Sequence, residues 1–381
     1  MIAMLLPPLS ASSHLNKVNT STPKSFNFQF TIDGCSGALL LTAEKYDGFL
    51  ELVRSSVHRE PEDKLETISN FIVDALFSSQ YSKEYYSIRG CTDKDQTLVK
   101  CLQRKLHSNS IGLILPDGLH PLEAQHLICS GSTDIVCKPG TILIIRHLLE
   151  HTLDLNLFLI RLRQIIGNHS FCYIEVPDSI GLFSNGDLTQ LWEEHTVYFT
   201  ISSLQAVLAS KGFEVITHKQ FVSEGESLCS AIICKSDQKV MEVSLAIDDD
   251  IVLNFLSLFP KHISGIASSL SSYANCRTLY LYGANHIAGT FLDIIGNTSE
   301  LIRAVIDDDT KKSGLTIGIC CTVIKSMKAI NQDEPLHFLV SVNEGRSPML
   351  YERLRLHFPE TLGHRVESLA SFCQTNWDLI K

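Results

Sequence analysis

The sequence predicts an α/β protein built on two successive open sheets of mostly parallel strands. Three observations carry this expectation. Short apolar runs alternate with amphipathic segments from about residue 84 to residue 234. The same alternation starts afresh at Thr278, after a long stretch of helical periodicity. The strand candidates are near-continuous Val, Ile and Leu runs, the pattern of strands covered on both faces. A chain of 381 residues has room for two or three domains. The reading divides it into a tail with a small hairpin and helix unit over 1–61, an α/β domain over 62–236 and a second, smaller α/β domain over 237–381.

Residues 1–25 are rich in Ser, Thr, Asn and Pro without an apolar period, which predicts a loose tail. Phe26–Ile32 alternates apolar and polar, Asp33-Gly34 marks a turn and Ala38–Thr42 is a second apolar run, together a hairpin. Tyr46–Val57 and Asp63–Phe77 have helical spacing; in the second, Leu65, Ile68, Phe71, Ile72 and Leu76 share one face. The first α/β stretch predicts strands at Glu84–Arg89, Ser110–Leu115, Thr133–Cys137, Thr141–Ile145, Phe171–Val176, Phe213–Thr217 and Ser227–Cys234. Helices fall at Gln96–Leu106, Leu122–Ile128, Leu155–Ile166 and Ile201–Lys211. The last two strands are close enough in sequence to run antiparallel. Helical periodicity over Val240–Leu270 is broken at Pro260. Strand Thr278–Gly283, helix Ile287–Ile295, strand Leu301–Ile306, strand Phe338–Val342 and helix Met349–Leu356 complete the second stretch.

Composition excludes several function classes. Lys and Arg number 32 against 42 Asp and Glu, a net charge of −10, which disfavours a nucleic-acid polymer as partner. The most apolar stretch, Thr141–Ile166, is interrupted by seven charged or His residues, so no run of about 18 residues suits a membrane span. Met1–Pro8 is apolar without a basic flank, and no secretory signal is expected. The 12 cysteines are scattered with no C-x-x-C pair, which predicts reduced, mostly buried thiols in a cytoplasmic protein.

Ligands in open α/β sheets collect beyond the carboxyl ends of strands. Three segments lie there: Ile145–His151, Tyr173–Asp178 and Leu191–Thr200. His151, Glu194 and His195 are therefore candidates for proton transfer, with Tyr198 beside them. The competing reading is structural, since Arg146, Glu150 and His151 also suit capping and ion pairing at a helix start. His147 and His151 are four apart and would share one face of a helix, but the sequence places no third ligand, so no metal site is expected.

Arg146-His-Leu-Leu-Glu-His151, Ile174-Glu-Val-Pro-Asp178, Trp192-Glu-Glu-His-Thr-Val-Tyr-Phe-Thr200 and Lys211-Gly-Phe-Glu-Val215 occur in that order. Leu281-Tyr-Gly-Ala-Asn-His286 and Val305-Ile-Asp-Asp-Asp309 follow, with Lys311, Lys312 and Gly314 after them. This series resembles the S-adenosylmethionine-dependent sugar C-methyltransferase family over roughly residues 62–345. The resemblance implies a Rossmann-like class I methyltransferase domain followed by a second, smaller α/β domain. It implies methylation of a carbon on a nucleotide-linked keto-deoxysugar: a base removes the proton next to the ketone, and the enolate takes the methyl group of S-adenosylmethionine. On that reading His195 is the base, Glu194 orients it, and His151 and Tyr198 polarise the ketone or hold the sugar. Gly90, Asp93, Asp117, Arg146 and His147 would meet the cofactor, and Glu175, Tyr282, Asn285 and His286 the substrate. The partner is a nucleotide-linked sugar, and the chain would work as a homo- or hetero-oligomer.

The sequence departs from the family at three places. Only Cys35 precedes Cys91, where the family carries a cysteine-rich zinc-binding region. Lys94 replaces a glycine of the cofactor turn, and Ile88 stands where its strand usually carries an acid. The second strand ends Gly112-Leu-Ile-Leu-Pro116, with Asp117 as the nearest acid for the ribose. A ribose without a carboxylate loses charge-assisted hydrogen bonds of about 1.5–3 kcal/mol each. Two other readings therefore stay open. One is a non-methylating relative, a pseudoenzyme serving as partner subunit or a catalyst of cofactor-free proton transfer such as epimerisation. The other is a nicotinamide-dependent oxidoreductase using the Gly283-Ala-Asn-His286 turn and Asp307–Asp309, although the G-x-G-x-x-G fingerprint is missing.

Overall fold

A computed structural model describes residues 62–78, 87–108, 110–116, 121–130, 136–152, 154–192, 195–223, 226–236, 246–318, 320–343, 345 and 347–381. The expected hairpin over 26–42 and helix over 46–57 lie outside the described residues. The first sheet comprises β1 (Ser87–Gly90), β2 (Ser110–Leu113), β3 (Thr141–Arg146), β4 (Phe171–Pro177), β5 (Phe213–Ser223) and β6 (Glu226–Lys235). Their spatial order is β2-β1-β3-β4-β6-β5. β1 to β4 are parallel, and β6 runs antiparallel between β4 and β5. The strand order reverses between β1 and β3, which puts the ligand crevice of such a sheet beyond Gly90 and Arg146.

Strand β3 shows why the sheet is covered twice. Its side chains alternate between faces. Ile142 and Ile144 join a core with Leu98, Val99 and Leu102 of helix Gln96–Leu106, while Leu143 and Ile145 join one with Phe158, Leu159 and Leu162 of helix Leu155–Ile165. Both faces are apolar because both are buried, hence the unbroken Ile-Leu-Ile-Ile run.

The second sheet contains β7 (Thr278–Tyr282), β8 (Ile302–Ile306), β9 (Thr316–Ile317), β10 (Thr322–Lys325), β11 (Leu336–Val340) and β12 (Arg365–Ser368), in the order β12-β11-β7-β8-β10-β9. The pairings β12-β11-β7-β8-β10 are parallel, and β9 is an antiparallel edge. Read from β10, the five parallel strands have the doubly wound order 3-2-1-4-5. Their crevice lies beyond β7 and β11, at Gly283 and Ser341.

The two sheets share one apolar cluster that includes Ile145, Phe183, Phe255, Leu281 and Trp377. Helices Ala246–Ala274 and Leu369–Asp378 follow the first sheet in sequence but pack on its turn 184–186. Trp377 is fully buried, and its indole N–H donates to the Ser184 carbonyl at 3.0 Å. His262 Nε2 lies 3.0 Å from the Gly186 carbonyl oxygen. Gly186 has φ +62°, and a Cβ there would sit 2.7 Å from the Trp377 ring.

Three sequence expectations change. Pro260 does not break its helix, which runs from Ala246 to Ala274. Phe255, Phe259, Ile266 and Leu270 are buried from it, and their burial outweighs the roughly 3 kcal/mol that an internal proline costs. Val136 and Cys137 are not in a strand; the Cys137 N–H bonds to Ile165 O at the end of a helix instead. Strand β5 runs past Thr217 to Ser223 because β6 pairs with it along its length, through an irregularity between Val215 and Thr217. Helix Leu369–Asp378 and strand β12 had no counterpart in the sequence reading. The described cysteines are free thiols. Among the described residues, no helix is long and apolar enough to cross a membrane.

Candidate functional site

The site begins with two charged residues at the ends of neighbouring strands. Arg146 of β3 and Glu175 of β4 are paired in register, so their side chains leave the sheet together. Arg146 Nε and Nη2 both donate to Glu175 Oε1, at 2.9 and 2.7 Å. Tyr173, two residues back on the same face, donates its hydroxyl to Glu175 Oε2 at 2.6 Å and lies 3.0 Å from Ser230 Oγ of β6. Burial alone would raise the Glu175 carboxyl; Arg146 and His147 overcome it and hold the pKa well below the usual range. Glu175, expected to meet substrate, is fully buried with both oxygens engaged. It anchors the frame of the site.

His147 follows with φ +50°, a left-handed conformation that costs a β-carbon-bearing residue on the order of 1–3 kcal/mol. The turn places its ring between two carboxylates: Nε2 is 3.2 Å from Glu175 Oε1 and Nδ1 is 3.3 Å from Glu150 Oε1. Burial and Lys94 push the imidazole pKa down, but Glu150 and Glu175 outweigh them and raise it. His147 therefore does not share a helix face with His151. Leu149–His151 is a single turn of 3-10 helix, and His151 points elsewhere, toward His195.

The third segment is stitched to this turn through backbone. The amides of Thr196 and Val197 donate to the Glu150 carbonyl at 2.7 and 3.0 Å, and the Thr196 hydroxyl donates to the Thr152 carbonyl at 2.7 Å. The Tyr198 hydroxyl accepts from the Trp192 amide and donates to its carbonyl, both at 3.1 Å, closing the loop. Tyr198 thereby shapes the segment. His195 meets His151 edge-on, with centroids 4.8 Å apart and planes at 88°. Trp192 stacks on it at 5.2 Å, and the Tyr198 ring lies tilted at 6.1 Å.

Glu150, His151 and His195 are all buried, and their ligand-type atoms lie within 4.8 Å of one another. Burial would raise the Glu150 pKa, but His147, His151 and His195 bring it down to about 2. Burial and His151 lower His195 to about 3, against the opposing pull of Glu150. At neutral pH the group thus holds an anionic carboxylate beside an uncharged His195 imidazole. Glu194 lies outside the described residues; among the described residues the carboxylate beside His195 is Glu150, which the sequence reading treated as a capping residue.

The predicted cofactor loop follows β1. Asp95 folds back over it, and its Oδ2 accepts the amides of Cys91 and Thr92 at 2.8 and 2.9 Å. A Cβ on Gly90 would lie 2.8 Å from both Asp95 Cβ and Leu113 Cδ2, so this close packing accounts for the glycine. Asp95 Oδ1 is buried without a hydrogen bond, and burial raises the carboxyl pKa to about 7 against the opposing loop amides and Arg146. Asp93 and Lys94 are exposed, yet the Lys94 charge still reaches His147 and His195. Asp117 lies outside the described residues.

In the second sheet, Asn285 caps helix His286–Ile295 by accepting the Ala288 amide at 3.0 Å. The Tyr282 hydroxyl accepts from Arg353 at 2.6 Å. Asp307 accepts the Ala284 amide at 2.8 Å and the Lys312 ammonium at 3.0 Å, which ties the acid after β8 into the turn and disfavours a dinucleotide role for it. His286 is the residue of this group that stacks on Trp192, the indole that also stacks on His195. Trp192, Asp95 and Glu150 were missed as functional candidates. The signal for Glu150 was present in its sequence position beside His151; no sequence pattern marks Trp192 as a bridge between sheets.

No family model matches the chain, and no curated protein is significantly similar to it in sequence. Solved structures similar to it include methyltransferases that use S-adenosylmethionine. One from Anabaena variabilis is 14% identical, covers 49% of this chain and 91% of its own, and has a TM-score of 0.29. Magnesium protoporphyrin IX methyltransferase from Synechocystis, with bound S-adenosylhomocysteine, is 9% identical over 49% of this chain and 93% of its own, with a TM-score of 0.30. A riboflavin-derivative dimethyltransferase from Streptomyces davawensis is 17% identical over 50% of this chain and 68% of its own, with a TM-score of 0.29. The α/β fold of this chain rests on its own strand order, which is Rossmann-like in both sheets.

Proposed function

We propose that the chain methylates a carbon next to a ketone on a nucleotide-linked deoxysugar, with S-adenosylmethionine as donor. The observation that supports this reading is the buried Glu150–His151–His195 group beyond the ends of β3 and β4. The donor is cationic, and it would be held at the crevice between β1 and β3, where Asp95 Oδ1 is a buried acceptor without a partner. That orphaned oxygen suits the donor's ammonium group. The loop amides of Cys91 and Thr92 are already taken by Asp95, so they are not what would hold its carboxylate. When bound, the donor supplies an electrophilic methyl group.

The chain's own residues handle the proton. His195 takes the proton from the carbon next to the ketone as that C–H bond breaks, although burial and His151 make its imidazole a weak base, with a pKa of about 3. The electron pair moves onto the ketone oxygen, and His151 stands 4.8 Å from His195, ring to ring, to stabilise it. Glu150, held anionic, stabilises the imidazolium that forms. Trp192, stacked on His195, fixes the plane of its ring. His286, stacked on Trp192, extends the site toward the second sheet, where the nucleotide part of the substrate would lie.

Deuterium exchange tests the proton-transfer half directly. A nucleotide-linked keto-deoxysugar incubated in heavy water with the protein should exchange at the carbon next to the ketone, and His195→Asn should abolish the exchange. Unchanged exchange in that variant removes His195 from the mechanism. Calorimetry tests the donor half: no heat and no thermal shift at millimolar S-adenosylmethionine would sink the methylation reading.

A further inference from the structure

Neither oxygen of Glu150 completes a hydrogen bond, although the side chain is 1% exposed. An unsatisfied buried carboxylate is costly. His147 Nδ1, 3.3 Å from Oε1, is within ion-pair reach but does not have the alignment of a hydrogen bond. Among the described residues, the imidazoles of His151 and His195 also lie near Glu150, both below 8% exposed. Two imidazoles and a carboxylate, all buried, form a donor set suited to a borderline-soft divalent ion.

We propose that Glu150, His151 and His195 bind a divalent transition ion of the zinc class. The three donor atoms lie within 4.8 Å of one another. A tetrahedral zinc site with ligand distances of about 2.0–2.1 Å sets its donors roughly 3.4 Å apart, so the side chains close inward on binding. The backbone that carries them is already fixed. Glu150 and His151 sit in one 3-10 turn, and the segment of His195 is tied to that turn by the Thr196 and Val197 amides on the Glu150 carbonyl. The two histidine rings are perpendicular, with no face-to-face stacking to hold their nitrogens apart. Outside the ligands, His147 bridges Glu150 and Glu175, an outer partner that keeps the Glu150 carboxylate oriented. Three protein ligands leave the fourth position of a tetrahedral site open.

This inference does not rest on the methylation reading and constrains it. The metal bond and the proton acceptor would use the same lone pair of His195, so an occupied site cannot abstract a proton through that residue. The ion would act as an inhibitor of the exchange reaction described above.

The test uses the full chain, stripped with a chelator and titrated with cobalt(II) as a visible stand-in for zinc, with no sugar and no methyl donor present. The expected result is one equivalent bound, with the visible bands of four-coordinate cobalt, displaced by one equivalent of zinc. Glu150→Gln, His151→Asn and His195→Asn should each weaken binding tenfold or more. Absence of those bands in the unaltered protein overturns the proposal, whatever the variants do. Stoichiometric binding that survives all three substitutions also overturns it, because the ion is then held elsewhere. Circular dichroism of each variant shows whether the fold is kept, and metal affinity is compared only among folded proteins.

Discussion

The indole of Trp192 lies flat against the imidazole of His286, with centroids 5.3 Å apart and planes 11° from parallel. His195 stacks on the same indole at 5.2 Å, so one side chain couples the candidate base to the second sheet. Aromatic pairs of this kind contribute about 0.5–1.5 kcal/mol beyond their buried area. A double-mutant cycle with Trp192→Ala and His286→Ala, followed by urea unfolding, should return a coupling energy in that range. Strictly additive losses would show that the stack adds nothing.

Arg146 and Glu175 form a fully buried pair. Removing one member leaves an uncompensated charge and should cost about 3–5 kcal/mol, whereas replacing both by apolar residues should recover only part of it, because Tyr173 and His147 lose Glu175 as a partner. Urea unfolding of Arg146→Met, Glu175→Leu and the double variant measures this. A single-variant loss below about 1 kcal/mol would mean that water reaches the pair after all.

Asp95 predicts a pH dependence with a definite sign. Its folded pKa of about 7 lies above the roughly 3.9 of an unfolded chain, so the folded state binds more protons in between. Its contribution to stability is fully present below about pH 4 and is lost as pH rises through about 7. Asp95→Asn keeps an acceptor for the two loop amides and carries no charge. It should be more stable than the parent at pH 8, by up to about 4 kcal/mol, and no more stable at pH 4. Parallel stability curves for the two proteins across that range would refute the assignment.

Gly283 and Gly314 separate backbone strain from crowding. Both have positive φ, at +99° and +88°. A Cβ on Gly283 would lie 2.7 Å from Ser341 Oγ and 2.9 Å from a Val342 methyl, whereas among the described residues none beyond the chain neighbours comes within 4 Å of one on Gly314. Gly314→Ala should lose about 1 kcal/mol and Gly283→Ala about 2–4 kcal/mol. Equal thermal shifts in the two variants would mean that the β7 turn yields easily.

Local pattern revealed the elements whose neighbours agree with it. Helix Gln96–Leu106 has the bounds its periodicity predicts, and β3 and β4 end within one residue of expectation. What stayed hidden depends on contacts distant in sequence. Pro260 reads as a break because the burial of Phe255, Phe259 and Ile266 that overrides it is tertiary. At the site, His151 and His195 were legible as titratable residues beyond strand ends. The partner of Glu175 could have been inferred from register, since Arg146 and Glu175 close two neighbouring apolar strands. The role of Asp95 was not legible, because attention to glycine and acid positions in the loop passes over a carboxylate that folds back onto the loop's own amides.

Trp377 seated against Gly186 has a consequence for how the chain unfolds. The first sheet ends before residue 237, yet the ring that packs on its turn at Gly186 comes from beyond it, so the two halves are expected to melt together. Cutting the chain there would open a hole the size of an indole on one side and expose that indole on the other. Heating the intact protein should therefore give one calorimetric peak, with equal van't Hoff and calorimetric enthalpies, in place of two.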